Sequence, residues 1–449
     1  MSGFDELTKE ELIAENIELR RRLEELTAEV EMLRDKLSGG GKGSSAAPFI
    51  KPNRQQRREA ERQERKKRTQ QFTRKRDVAT EEVRHVVETC DCGRKLSGGY
   101  EHSRRQVIEI PDTPVKIIDH VLIARRCGVC GKVNIPKLTI SEGVVGKMRL
   151  GVRLMSLIST LSVAKRMPQR MIQRLLKGLF DVHISIGEIN EVLHRVSEWA
   201  KPTVLGILRE IRGSPDANAD ETGWREDGLN GYLWSVSTGA ERFYYFHRRR
   251  AGRIIRHILG TEFEGVLGCD FYAGYDWYRG PKQRCWVHLF RLLDKVVEKH
   301  TSAKVWADEV HYIYKAAKKA SRRKADGATR TLFREALQER LLSIAEPYLK
   351  DKDAAEQVMA KLICRYLPEL FTFVEHPSVA PSNNAAERAI RPAVISRKIS
   401  GGTRSARGSQ TKTRLMSVFA TWAVRGKDSI AACTEMIVAA NMPVATGPQ

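Results

Sequence analysis

The hydrophobic period of this chain changes at Gly213, and that change constrains the fold more than any other feature. From 147 to 200 the residues read as helix. Beyond it, PDANADETGWRE, GYLWSVSTG (231–239) and RFYYFHRR (242–249) alternate like strands, separated by turns that contain Gly. A helix is expected at Gly252–Leu259, then a strand in GVLGCDFYAGY (265–275) that ends in an acid. Residues 285–372 return to helix and include the basic run KAAKKASRRK (315–324). Strands alternating with helices require an α/β or α+β core.

Two acids fall in the strand region. Asp220 is expected where one strand ends and a turn begins, and Asp270 at the end of another. Strand ends in such sheets carry sites, because side chains there project past the sheet into a cleft. A third acid, Glu387, arrives on a helix within PSNNAAERAIRPAVISRK (381–398). Between His376 and Lys427 there are ten Lys and Arg residues, and Glu387 is the only acid. Its ionised form is favoured there, as a metal ligand needs. The same stretch also reads as a capping box, Asn384 with Glu387, and as an i,i+4 ion pair with Arg391. Three carboxylates from two strand ends and a helix meet the needs of two Mg²⁺ (or Mn²⁺) ions in phosphoryl transfer. Among competing acids, Glu221 points to the opposite face if its strand continues. Asp276 lies beyond a turn and Glu309 inside the helical region, and all three rank as surface or supporting residues. His288 reads as a core histidine.

The N-terminal third carries no such alternation. In residues 5–37, Leu12, Leu19, Leu26 and Leu33 recur every seven residues beside Asn16, Leu23, Val30 and Leu37. That pattern predicts a coiled coil and a homodimer or higher oligomer. A flexible linker, Ser38–Pro48, leads to an arm (51–76) with twelve basic and three acidic residues. The whole chain carries 78 Lys and Arg against 55 Asp and Glu, a net charge of +23, and the usual partner of such a surface is nucleic acid. No apolar run approaches the length of a spanning helix, so a membrane is not expected and the cytoplasm is, with the nucleoid when DNA is bound.

Cys90-Asp-Cys92 and Cys127-Gly-Val-Cys130 resemble the two knuckles of a zinc ribbon holding structural Zn²⁺. The first pair is one residue tighter than usual, which leaves His85 as a substitute ligand or a degraded site. Between the pairs, QVIEIP and VKIIDHVLIARR alternate like short strands. Further on, 166–180 and 185–199 read as two amphipathic helices with a Ser185–Glu188 capping box on the second. They match a helix-turn-helix whose second helix, with Asn190 on its outer face, reads DNA; an ordinary helical hairpin is the alternative.

Taken together, ADETGWR (219–225), LWSVST (233–238), GVLGCDFYAGY, CWVHLFRLL (285–293) and SNNAAERAIRPAVISRKISGGTRSARG (382–408) resemble the DDE transposases of the insertion sequence 66 family. The resemblance implies a multi-domain α+β protein with a ribonuclease-H-like core interrupted by a helical insertion. It makes Asp220, Asp270 and Glu387 the metal-binding triad, and puts Arg388, Arg391, Arg397 and Lys398 on a basic face that holds DNA. The expected domains are a coiled coil (1–37), a linker and basic arm (38–80), a zinc-ribbon-like domain (81–140) and a helix-turn-helix (147–205). A catalytic core (213–427) follows, with its insertion at about 295–372, and then a helical tail (428–449). The activity implied is cleavage at transposon ends and strand transfer into target DNA, with accessory transposition proteins admitted as further partners. The alternatives are a DNA-binding regulator without catalysis and a nuclease of the same fold that cuts without joining.

Overall fold

The computed structural model describes residues 78–79, 81–107 and 115–442. The expected coiled coil, linker and basic arm lie outside the described residues, as does most of QVIEIP. The chain divides into two compact units, Met1–Ile110 and Pro111–Gln449.

In the first unit, the Gly93 amide donates to the Cys90 carbonyl (2.8 Å) and Thr89 bridges Lys95, closing one knuckle turn. Arg104 pairs with both Glu82 and Glu101 beside it. In the second unit, β1 (Arg125–Arg126) runs antiparallel to β2 (Val133–Asn134). Between them the Gly131 amide donates to the Cys127 carbonyl at 3.0 Å. The strand expected over VKIIDHVL does not form: residues 115–122 carry no ladder, with Ile117 92% and Val121 77% exposed. Alternation makes a strand only where one face is buried, and here neither is.

A helical layer follows: α1 (Val152–Ser159), extended by a π-turn at Thr160–Ala164, α2 (Gln169–Phe180), α3 (Ile186–Trp199) and α4 (Lys201–Arg212). The predicted capping box is present on α3, where Ser185 Oγ accepts from the Glu188 amide (3.1 Å) and the Glu188 carboxylate accepts from the Ser185 amide (3.0 Å). The outer face expected of a reading helix is not. Along α3 only Gly187 and Glu198 are exposed. Ile189, Val192, Leu193 and Val196 are buried in the core, Ser197 Oγ is buried without a partner, Arg195 pairs with Glu191 of the same helix, and other polar side chains meet neighbouring elements. His194 Nδ1 meets Thr411 Oγ1 at 2.7 Å, and Arg414 pairs with Glu198 at 2.8 Å.

The sheet is built from β3 (Asp216–Glu226), β4 (Leu229–Ser237) and β5 (Arg242–His247), then α5 (Gly252–Leu259), β6 (Val266–Cys269) and β7 (Lys282–Arg284). Its order is β5-β4-β3-β6-β7. The first three strands form an antiparallel meander, and β6 and β7 add in parallel. Asp227 and Gly228, both at positive φ, make the two-residue β3–β4 turn, a conformation suited to a hairpin's twist. Leu233–Ser237 is buried without interruption, as a strand covered on both faces must be.

After β7 come α6 (Trp286–Lys299), α7 (Lys304–Ser321), α8 (Gly327–Ala345), α9 (Gln357–Leu370) and the short α10 (Thr372–Glu375). These enclose a hydrophobic core of their own, running from Trp286 to Val374. This second core begins with Trp286, the first residue of α6, whereas the insertion was expected from about 295. The chain returns through α11 (Asn384–Ser400), α12 (Ala406–Val424) and α13 (Ser429–Asn441).

One core cluster joins the sheet, α1–α4, α12 and α13, from Val145 to Ile437. The expected boundaries at 205 and 428 are therefore not gaps in packing. Thr434 Oγ1 on α13 even bonds Ser156 Oγ on α1 at 3.0 Å. No described helix is long and apolar enough to cross a membrane.

Candidate active site

Asp220 sits inside β3 rather than at its end, since β3 runs on to Glu226 beside β4. What ends is the parallel ladder. Its last pair is Asn218 with Gly268, and β6 stops one residue later. Carrying that register two residues further sets Asp270 beside Asp220, on the same face of the sheet. The strand end expected near the acids is thus that of β6, not of β3. Asp270 Oδ1 accepts from the Tyr272 amide, and Asp220 Oδ1 from the Glu221 amide, both at 2.9 Å.

Burial pushes the Asp220 carboxyl up to about 7, and the negative charges of Glu221, Asp270 and Glu387 push the same way, against one backbone hydrogen bond. Two of those neighbours are the expected triad partners. Acids 50 and 167 residues further along the sequence are therefore within reach of the Asp220 carboxyl.

Glu387 lies in the first turn of α11, where its carboxylate faces α6: Arg291 Nη1 donates to Oε1 at 3.2 Å, and His288 Nε2 stands 3.8 Å away. The cap reading fails on geometry. Asn383 occupies the N-cap position and makes no side-chain cap bond, Asn384 is the first helical residue, and Glu387 pairs with α6 rather than Arg391. His288 is no satisfied core residue either, because its Nδ1 is buried without a partner.

Asn383 is the residue that sequence reasoning passed over. Its Nδ2 donates to the carbonyl of Ala219 (2.8 Å), one residue before Asp220, and its amide donates to Cys285 Sγ (3.1 Å), just past β7. It therefore fixes the start of α11 to the sheet and so fixes where Glu387 begins. Its Oδ1 is buried with no partner. A Cβ on Gly268 would lie 2.4 Å from Asn218 Oδ1 and 3.6 Å from Asn383 Oδ1, so only glycine lets these two amides share that face.

Below the carboxylates lies a structural layer. Glu221, with a side chain only 3% exposed, pairs with Arg250 and accepts from Tyr275 Oη at 2.6 Å. It is on the opposite face, as alternation predicts, but it is buried and not a surface residue. Asp276 likewise pairs with Arg365 and with Arg284, a fully buried guanidinium that also bonds Glu369 (2.5 Å) and the Asp270 carbonyl (2.7 Å). Glu309 is exposed on α7. No sequence pattern marked Arg284, whose four partners come from two segments, residues 270–276 and α9.

Of the expected DNA contacts, Arg388, Arg391 and Lys398 are exposed on α11. Arg397 is not free: its guanidinium donates to Thr222 Oγ1 (3.1 Å) and to the Gly223 carbonyl, stitching α11 to β3. Asn190 is half-buried on α3 and accepts from Gln169 Nε2 of α2 at 2.5 Å.

The carboxylate donor set suits a hard divalent cation, and the crowding felt by Asp220 is what such a cation relieves. Among the described residues no three His, Cys, Asp or Glu side chains close into a ligand cage; Glu387 is held instead by Arg291. At the knuckles, backbone amides aimed at the thiols lower Cys90 and Cys127, each from within its own turn.

Comparison with known proteins bears on this geometry. An uncharacterized protein of Sinorhizobium fredii, y4jO, is 29% identical over 146 residues, which cover 32% of this chain and 43% of that relative. The chain thus matches less than half the length of that curated relative. A family model described as "Transposase IS66 family" matches residues 147–411, the segment that holds the sheet, the insertion and all three acids. That match takes in more than half of the sequence, and the chain belongs to the IS66 family of transposases.

Proposed function

We propose that this protein is a DNA transposase that cuts the phosphodiester at transposon ends and transfers the freed 3′-hydroxyl into target DNA. What supports the reading is that Asp220, on β3, feels the charges of Asp270, just past β6, and of Glu387, on α11. A sheet in which a three-stranded antiparallel meander is extended by two parallel strands, interrupted by helices after β7, supports a ribonuclease-H-like core.

In this reading Asp220 and Asp270 supply ligand oxygens from a rigid sheet, and Glu387 supplies a third from α11. Asp220, Asp270 and Glu387 would hold two Mg²⁺ or Mn²⁺ ions, which would supply activation of the attacking oxygen and stabilisation of the leaving one. The chain's own part is positional. Asn383 sets the start of α11, Arg284 holds the Asp270 carbonyl, and Arg291 with His288 orients the Glu387 carboxylate. Arg388, Arg391 and Lys398 offer exposed cations to the DNA backbone beside it. Zn²⁺ at the cysteine knuckles and self-association through residues 1–37 belong to the same proposal.

The experiment is incubation of the full chain with labelled element ends, target DNA and Mg²⁺, scoring both nicks and joined products. Joined products are expected. Nicks alone would identify a nuclease, and binding without either would identify a regulator.

A further inference from the structure

A strongly basic concavity lies apart from the carboxylates. It lies in the insertion, where the end of α7, the α7–α8 connection and residues 377–381 line a cleft of about 570 Å³. Lys318, Arg322, Arg323, Lys324 and Arg330 all face it.

Arg330 differs from the rest. Its guanidinium donates to the carbonyls of Ser321, Arg323, Ala325 and Val374, so it braces the turn. The other four have no carboxylate within ion-pairing distance among the described residues. The nearby acids are engaged elsewhere: Asp326 caps α8 through the Thr329 amide, and Glu375 pairs with Arg334. Cations in the last turn of a helix commonly serve its dipole. That accounts for Lys318 alone, since Arg322–Lys324 lie beyond α7 and Arg330 already satisfies the Ser321 carbonyl.

The opposite wall connects the cleft to the carboxylates. Pro381 lines it, and the Pro381 carbonyl accepts from the Trp286 amide at 3.0 Å, tying that wall to α6. Glu387 follows six residues later, and even fully extended such a segment spans no more than about 20 Å. One DNA strand advances 3.4 Å per nucleotide, so roughly six nucleotides cover the same distance.

On the transposase reading, we propose that this cleft clamps the sugar-phosphate backbone of DNA within about half a helical turn of the phosphodiester being cut. The walls offer ammonium and guanidinium groups against Pro, Val and Ala, with no Asn, Gln, Asp or Glu among them. The clamp therefore adds affinity without sequence preference.

The test is fluorescence anisotropy of the full chain on element-end and random duplexes over a salt series. Two variants are compared with wild type: Lys318→Gln/Arg322→Gln/Lys324→Gln, which removes charge, and Lys318→Arg/Arg322→Lys/Lys324→Arg, which keeps it. The first should flatten the salt slope by about 1 per lost phosphate contact, equally on both duplexes. The second should keep the wild-type slope. An unchanged slope in the first variant overturns the clamp. So does a flattened slope in the second, because the effect would then be structural. A thermal upshift with inorganic phosphate that the first variant loses, with its DNA slope intact, would make the cleft a small-anion site and also overturn it. Failure of the transposase reading looks different: the wild-type chain would then give no joined products from element ends, whatever its salt slope.

Discussion

The sheet body and the helical insertion place their charges in opposite ways. In the body, acids are gathered on buried strands, where Asp220 and Glu221 are adjacent and Asp270 is close by, and burial raises the carboxyls of both strand neighbours. In the insertion, cations are gathered at an open helix end with no acid paired to them. A buried carboxylate cluster has an energetic cost that only a bound cation or a proton relieves, so its position must be rigidly specified. An exposed cationic cleft has little such cost and needs only net charge. Loss of one acid should therefore be all-or-none, whereas loss of one cation should be graded.

The sharpest way to break that contrast is at the acids. Asp220→Asn, Asp270→Asn and Glu387→Gln should each lower strand cleavage by about a thousandfold, the scale of removing one main stabiliser of transition-state charge. DNA binding should persist in all three. Glu221→Gln should leave cleavage far less affected, because its carboxylate serves Arg250 and Tyr275. Rapid cleavage by a folded Glu387→Gln protein would remove α11 from the site.

Arg284 tests the joint between the two regions. It bonds the Asp270 carbonyl in the body and Glu369 in the insertion, and no solvent reaches it. Removing one member of a buried ion network costs about 3–5 kcal/mol. Arg284→Met should fall at the low end, since Glu369 keeps Lys282 (3.1 Å) and Asp276 keeps Arg365 (2.9 Å). Chemical denaturation measures it. A loss near zero would mean that body and insertion are joined by packing alone.

The strands and the helix that carry or adjoin the three acids were legible because their local pattern survives folding. Helix Gly252–Leu259 and the α3 capping box were legible for the same reason. What escaped depended on distant partners. The strand alternation of 115–122 meets no partner layer, and the polar face of α3 is covered by α12, more than 200 residues away in sequence. The run 315–324 shows its charge in sequence, but only the fold makes it one wall of a cleft.

Asn383 tests how the body fixes its acid. Asn383→Ala removes the bond to the Ala219 carbonyl, leaving a buried acceptor unpaired at a cost of about 1–3 kcal/mol. Cleavage should fall with it, and a melt beside a time course separates the two effects. If the protein loses stability while the remaining folded fraction cuts normally, Asn383 holds the fold but does not position Glu387.

The smallest effect is expected one residue on. The pattern Asn384 to Glu387 is the one a capping box would use, and under that reading Asn384→Ala would cost about 1 kcal/mol. In the structure the N-cap position belongs to Asn383, and Asn384 is exposed in the first turn of α11 with no side-chain bond to the helix end. An exposed helical position of this kind changes stability by no more than about 0.5 kcal/mol, and alanine is the better helix former. Asn384→Ala should therefore melt at the wild-type temperature or slightly above it and cut at the wild-type rate, where Asn383→Ala does neither. A loss of a full kcal/mol at Asn384 would restore the cap. It would also return Glu387 to a structural role at the helix start, since its partner in that box would then be real.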